Sequence, residues 1–251
     1  MSFFSFLSHE KEKKVLVFDI SSGTVGGAIV VFGENSLPKV IKSKREIIPF
    51  NINVYGKKLQ SSTVVALKRL CKDLSYHSGK ISEVHLVLSS PWVNSETKIL
   101  STKSPKSFLV TKSFIDALVD EEEKSFEKKF VTDQNKPELK KDIIQIEKSM
   151  TDIRLNGYSV ENPINNKANI IEVPIFSSIA LKSVIKEFQK TIRDTFLVSN
   201  FSVHSMSIVS FLFLRDIFEH NTDFSFINVH GEVTEILAVS KNHLSGLSVI
   251  P

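Results

Sequence analysis

A chain of 251 residues with 41% hydrophobic and 24% charged content has the material for one large or two smaller globular domains. Its formal net charge of +4 is spread along the length with lysines interleaved among acids, which excludes the clustered basic face of a nucleic-acid binder. A single cysteine, Cys71, and seven histidines without ligand spacing exclude a disulfide framework and a cysteine-rich zinc site.

The opening residues, "MSFFSFLSHEKEKK", lack the basic start, long apolar core and cleavage site of a signal peptide and read as a flexible leader, with a membrane-surface or partner-docking segment as the rival reading. Val15 to Phe18 and Ala28 to Phe32 are too short for helices and rich in β-branched and aromatic residues, so they predict two buried strands joined by a Gly-rich turn. A third strand is expected through Lys39 to Ile48. An amphipathic helix follows over Ser61 to Ser75, opened by Ser and Thr caps and burying Val64, Leu67, Leu70, Cys71 and Leu74. "EVHLVLSSPW" then predicts a strand over Val84 to Leu88, with Trp92 packed inside.

From Lys98 the pattern changes. "KILSTKSPKSFLV" reads as extended segments around Pro105, and "TKSFIDALVDEEEKSFEKKF" as a helix capped at Ser113, with its acidic run facing solvent. A charged loop is expected next, then one long strand through "DIIQIEKSMTDIRL" that turns at Asn156-Gly157. "NIIEVPI" leads into a helix from Ser178 to Phe196 with Ile179, Val184, Ile185, Phe188 and Ile192 inward. The last part predicts a strand near Val203, a buried helix over Ile208 to Phe218, too short and too charged to span a bilayer, and strand-like runs in "FSFINVHGEVTEILAV" and "HLSGLSVI".

The chemistry concentrates in "KVLVFDISSGTVGGAIVVFG". A Walker loop needs a Lys followed by Ser or Thr at its close, and a dinucleotide loop needs G-x-G-x-x-G opening a helix; neither stands here, since a strand follows Gly27. A carboxylate at a strand end, followed by a tight turn of small residues, points instead to a hairpin phosphate clasp. Backbone N–H groups there approach phosphate oxygens while Asp19 holds Mg²⁺ through its waters. The rival reading of Asp19 is a turn acid that caps backbone amides.

"VFDISSGTVGGAIV" resembles the first phosphate hairpin of the bacterial actin-like ATPases, and "NVHGEVTEI" resembles their second. Together with "IRLNGYSVENP", a strand and a long helix between them, the chain from about Lys14 to Pro251 is similar to the FtsA/PilM type. The resemblance implies an α/β, actin-like (ribonuclease H-like) fold carrying an inserted strand-helix-strand subdomain, with the second half of the fold incomplete. It implies a leader at 1–14, the first subdomain at 15–97 and 199–220, the insertion at 98–198, and the start of the second half at 221–251. By the same resemblance Asp19 would hold Mg²⁺, Ser21, Ser22, Gly23 and Thr24 would line the phosphates of ATP, and Gly231, Thr234 and Glu235 would contribute from the second hairpin. Ser21, Asn228 and His230 depart from the family's Gly, Asp and Gly, so at most weak ATPase activity is expected, and no catalytic residue is assigned.

The function implied is a cytoplasmic scaffold, peripheral at the inner face of the cell membrane. It would tether an FtsZ-like protein in cell division or hold a PilN-like protein in type IV pilus assembly, in a groove beside the insertion, with self-association into filaments a further expectation. A nucleotide-free interaction module and a sugar or acetate kinase are the rival readings. A nucleic-acid partner is not expected.

Overall fold

The computed structural model describes residues 13–33, 37–49, 56–133, 140–150, 153–218 and 220–250, which form thirteen strands and four helices. Most of the expected leader and part of the loop expected after the acidic helix lie outside these residues. Two compact units emerge from the chain's own contacts. One gathers described residues of 13–20, 24–87 and 187–203; the other gathers 21–23, 88–186 and 204–250.

The first unit is built on a five-stranded sheet. β1 (Lys13–Ile20) and β2 (Thr24–Phe32) form an antiparallel hairpin, extended on one side by β3 (Lys39–Ile47) and on the other by β4 (Glu83–Leu88) and β10 (Phe201–Ser205). Alternation sorts the faces: Leu16, Phe18 and Ile20 of β1 point with Val25 and Ile29 of β2 into the core. α1 (Lys57–Ser78) covers that face through Leu59, Val64, Leu67, Leu70, Cys71 and Leu74. The approach is close enough that a Cβ at Gly27 would lie 2.8 Å from Leu74 Cδ1, so this position accepts only glycine without repacking. Burial pushes the Cys71 thiol up to about 12, leaving it a small neutral core group.

α1 starts a full turn earlier than expected. Its N-cap is Gly56, with no side-chain cap, and the Ser and Thr read as caps lie inside the helix: Ser61 Oγ donates to the Lys57 carbonyl and Thr63 Oγ1 to the Leu59 carbonyl. The apolar stripe continues N-terminally to Leu59, which is buried, and tertiary packing outweighs the local capping signal.

The second unit carries a long antiparallel sheet. β5 (Val93–Leu109) runs without a break through the stretch expected as separate extended segments, pairing with β9 (Lys167–Leu181) from Val93↔Ala180 to Leu109↔Lys167, with a bulge between Lys103 and Phe108 that accommodates Pro105. β6 (Ile143–Met150) lies on the other side of β9. The expected long strand through 142–155 comes as two pieces paired in series along β9: β6 to Met150↔Ile175, then β7 (Arg154–Leu155) at Arg154↔Glu172, which turns into β8 (Tyr158–Ser159) through Asn156 (φ 51°) and Gly157 (φ 86°), the predicted turn. Asn156 Oδ1 fixes that turn by accepting the N–H groups of Asn169 and Ile170.

α2 (Lys112–Asp133) packs Ile115 and Val119 onto Leu100, Ile171, Val173 and Ile175 of this sheet. Its cap is Thr111, whose Oγ1 accepts from the Phe114 N–H, not Ser113. The acidic run is only partly a solvated face. Glu122 pairs with Lys98 of β5 at 2.6 Å, and Glu123 with Lys148 of β6 at 3.1 Å. β9 then extends to Leu181, so Ser178 and Ile179, expected in the next helix, are strand residues buried on the sheet. α3 (Lys182–Phe196), which belongs to the first unit from Glu187 onward, begins where the Asp142 carboxylate accepts the Ser183 N–H at 3.0 Å. Within it Val184, Ile185, Phe188 and Ile192 are buried as predicted.

Also in the second unit, α4 (Met206–Ile217) lies on a three-stranded meander of β11 (Phe224–His230), β12 (Val233–Ser240) and β13 (His243–Ile250), around Phe176, Ile208, Phe211, Leu237, Val239 and Leu244. Ser205 caps α4, and the Glu147 carboxylate accepts both its N–H and its hydroxyl. α4 is not the fully buried helix expected. Only one stripe reaches the core, and Leu212, Phe213 and Ile217 are exposed.

Candidate functional site

Each unit carries one acid of the predicted clasp, and each acid is already held by its own unit. In the first unit, Asp19, one residue before the end of β1, stands opposite Gly26 of β2, which in turn stands opposite Arg45 of β3. This register lays the Arg45 guanidinium across Gly26. Nη2 donates to Asp19 Oδ2 at 2.6 Å and Nη1 to Thr24 Oγ1 at 2.7 Å. A Cβ at position 26 would lie 2.8 Å from Nη2, so the glycine opens the path for the side chain. Val17, Asp19, Gly26, Ala28, Ser43, Lys44 and Arg45 line the shallow groove on this face, with a volume of about 330 Å³. Lys44 pairs with Glu46 and Asp73, which hold its ammonium above the usual lysine value, Glu46 first.

In the second unit, the turn residues Ser21 to Gly23 meet the turn between β11 and β12. Ser22 Oγ donates to the His230 carbonyl and accepts the Glu232 N–H, both at 3.2 Å. Gly23 and Gly231 touch backbone to backbone: a Cβ on Gly23 would lie 2.9 Å from Gly231 Cα, and one on Gly231 2.8 Å from Gly23 Cα. Gly231 also has φ +33°, a conformation that disfavours a side chain. The Ser21 carbonyl accepts the indole N–H of Trp92 at 3.0 Å, which places Trp92 in the packed interior as predicted.

Glu235 lies inside the same assembly at 1% exposure. Its Oε1 accepts the Ser90 N–H at 2.8 Å, while Oε2 faces His230 Nε2 at 3.6 Å, beyond hydrogen-bond reach, and both atoms are buried. Burial alone would push this carboxyl up; the facing His230 and the Ser90 amide more than offset it and hold Glu235 below the usual carboxylate range. The pleat turns Thr234 to the opposite face of β12, opposite Val229, and Asn228 stands across from Glu235.

Ser21, Ser22, Gly23, Gly231 and Glu235 thus come together in one unit, Asp19 and Thr24 in the other, and Thr234 joins neither group. The sequence reading missed Arg45, Ser90 and the burial of Glu235. Only the cross-strand register places Arg45 beside Asp19, and no local motif announces it.

As folded, these residues do not fit a magnesium–triphosphate. A dication at Asp19 would face the guanidinium charge at hydrogen-bonding distance from the same carboxylate. The Glu232 amide, of the kind that would bind a phosphate oxygen, already donates to Ser22, and the Gly23–Gly231 contact leaves no gap between their backbones. Among the described residues, no three His, Cys, Asp or Glu side chains gather to hold a metal ion, and no helix is long and apolar enough to cross a membrane.

No family model matches the chain, and no curated protein sequence does. Solved structures do. A PilM-PilN type IV pilus biogenesis complex superposes with a TM-score of 0.58 at 13% identity, covering 94% of this chain and 61% of that one. Lower similarity is found to a Bacteroides thetaiotaomicron protein with an actin-like ATPase fold (TM-score 0.42, 11% identity, 95% and 70% coverage) and to the Aquifex aeolicus PPX-GPPA enzyme (0.40, 10%, 96% and 52%). The chain therefore spans about three-fifths of the length of the PilM-PilN structure it matches, and shares with it a mixed α/β fold.

Proposed function

We propose that this protein is an actin-fold scaffold of the PilM type, which holds an extended segment of a PilN-like protein and serves assembly of a type IV pilus platform at the cytoplasmic face of the membrane. The observation that carries the reading is the fold likeness to the PilM-PilN complex over 94% of the chain. The chemistry of the two hairpins agrees with it, because a scaffold asks nothing of phosphate transfer: Asp19 and Glu235 are both engaged by protein groups.

The test is co-expression with the cytoplasmic segment of a PilN-like protein from the same genome, followed by size-exclusion chromatography. A co-eluting complex is expected. A PilN-like segment that elutes apart, with an FtsZ-like protein retained in its place, would overturn the pilus reading in favour of the division reading.

A further inference from the structure

We infer that this chain satisfies the predicted clasp residues with its own groups, Arg45 serving as the resident cation of Asp19 within the first unit and Ser22 bridging the loop tip to the Gly231 turn within the second, so that neither arrangement needs a nucleotide. The inference does not depend on which partner the scaffold binds.

Two separate observations carry it, one in each unit. In the first, Asp19, Gly26 and Arg45 stand in one cross-strand row, and the absence of a side chain at Gly26 lets the guanidinium contact both Asp19 and Thr24. A planar fork of fixed charge satisfies a carboxylate and a hydroxyl together, neutralising the acid as a metal ion would. In the second, Ser22 is 3% exposed and its hydroxyl is used twice, as donor to the His230 carbonyl and as acceptor from the Glu232 amide. The tight Gly23–Gly231 contact is the steric side of the same arrangement.

In a ligand-dependent clasp, an acid kept for a metal is a liability while the site is empty, so neutralising it leaves the free protein as stable as before or more so. Here Asp19 supports the nucleotide-free fold. The experiment is thermal unfolding of the whole chain as wild type, Asp19→Asn, Arg45→Met, the double variant and Ser22→Ala, each with and without millimolar MgATP.

The expected wild-type midpoint does not move with MgATP. Asp19→Asn and Arg45→Met each lower it by about 1–3 °C, the double variant falls no further than the worse single variant, and Ser22→Ala lowers it by about 2–6 °C. A saturable rise with MgATP that Asp19→Asn abolishes would overturn the inference. Losses that simply add in the double variant would overturn it as well, because Arg45 would then not be acting through Asp19.

Discussion

The β1–β2 and β11–β12 hairpins are built alike, each with an acid on a strand beside a glycine-bearing turn, yet their acids live in opposite environments. Asp19 is about a quarter exposed and paired with a flexible guanidinium that is itself half in water. Glu235 is buried, accepts a backbone amide and faces an imidazole. A carboxylate whose partner is solvated contributes little to stability, whereas one removed from water must be satisfied by fixed groups or destabilise the fold. The second hairpin is therefore the structural keystone of its unit, and the first is a surface device set by strand register.

The sharpest way to break this comparison is Gly231→Val. A side chain there meets the Gly23 backbone at 2.8 Å and sits at φ +33°, so both crowding and backbone strain oppose it, and urea denaturation should show a loss of about 3 kcal/mol or more. Glu235→Ala comes next. It leaves the Ser90 N–H buried without its acceptor and should cost about 2–3 kcal/mol.

The Glu235 interaction also carries a pH signature. Its carboxyl titrates below its unfolded value of 4.5, so its contribution is complete above that pH and is lost as pH falls through the lower folded value. Subtracting the stability–pH curve of Glu235→Gln from that of wild type should isolate this acid-side loss. Ser22→Ala should cost about 1–2 kcal/mol, since it removes a bridge between two backbone groups of the second turn. Asp19→Asn should cost least, under about 1 kcal/mol, because its guanidinium partner is half in water. If Asp19→Asn proves more damaging than Glu235→Ala, the contrast between the hairpins is wrong.

Much of this was legible in the sequence where the local signal and the tertiary environment agree. The β1–β2 hairpin, the Asn156-Gly157 turn and the meander of β11 to β13 follow from strand-length apolar runs punctuated by residues that tolerate tight turns. At α1 the Ser and Thr look like caps but the buried stripe runs past them, and Ser61 and Thr63 bond back into the helix; the helix expected from Ser178 starts later because residues from Val173 to Ala180 are buried on both faces of β9. α4 was misjudged because apolar composition reports what a helix could bury, and only Ile208 and Phe211 of its large apolar side chains find a core in this chain. In the site, Asp19 lies on β1 and Glu235 on β12. Arg45 is 26 residues from Asp19 and reaches it only through the alignment of three strands.

The measurement that bears most directly on the account is native-state hydrogen exchange of the Glu232 and Ser90 amides in nucleotide-free protein, with and without MgATP. Donation of these amides to Ser22 and Glu235 predicts slow exchange that MgATP leaves unchanged. Fast exchange in the free protein, slowed by MgATP, would contradict a clasp completed by the protein itself.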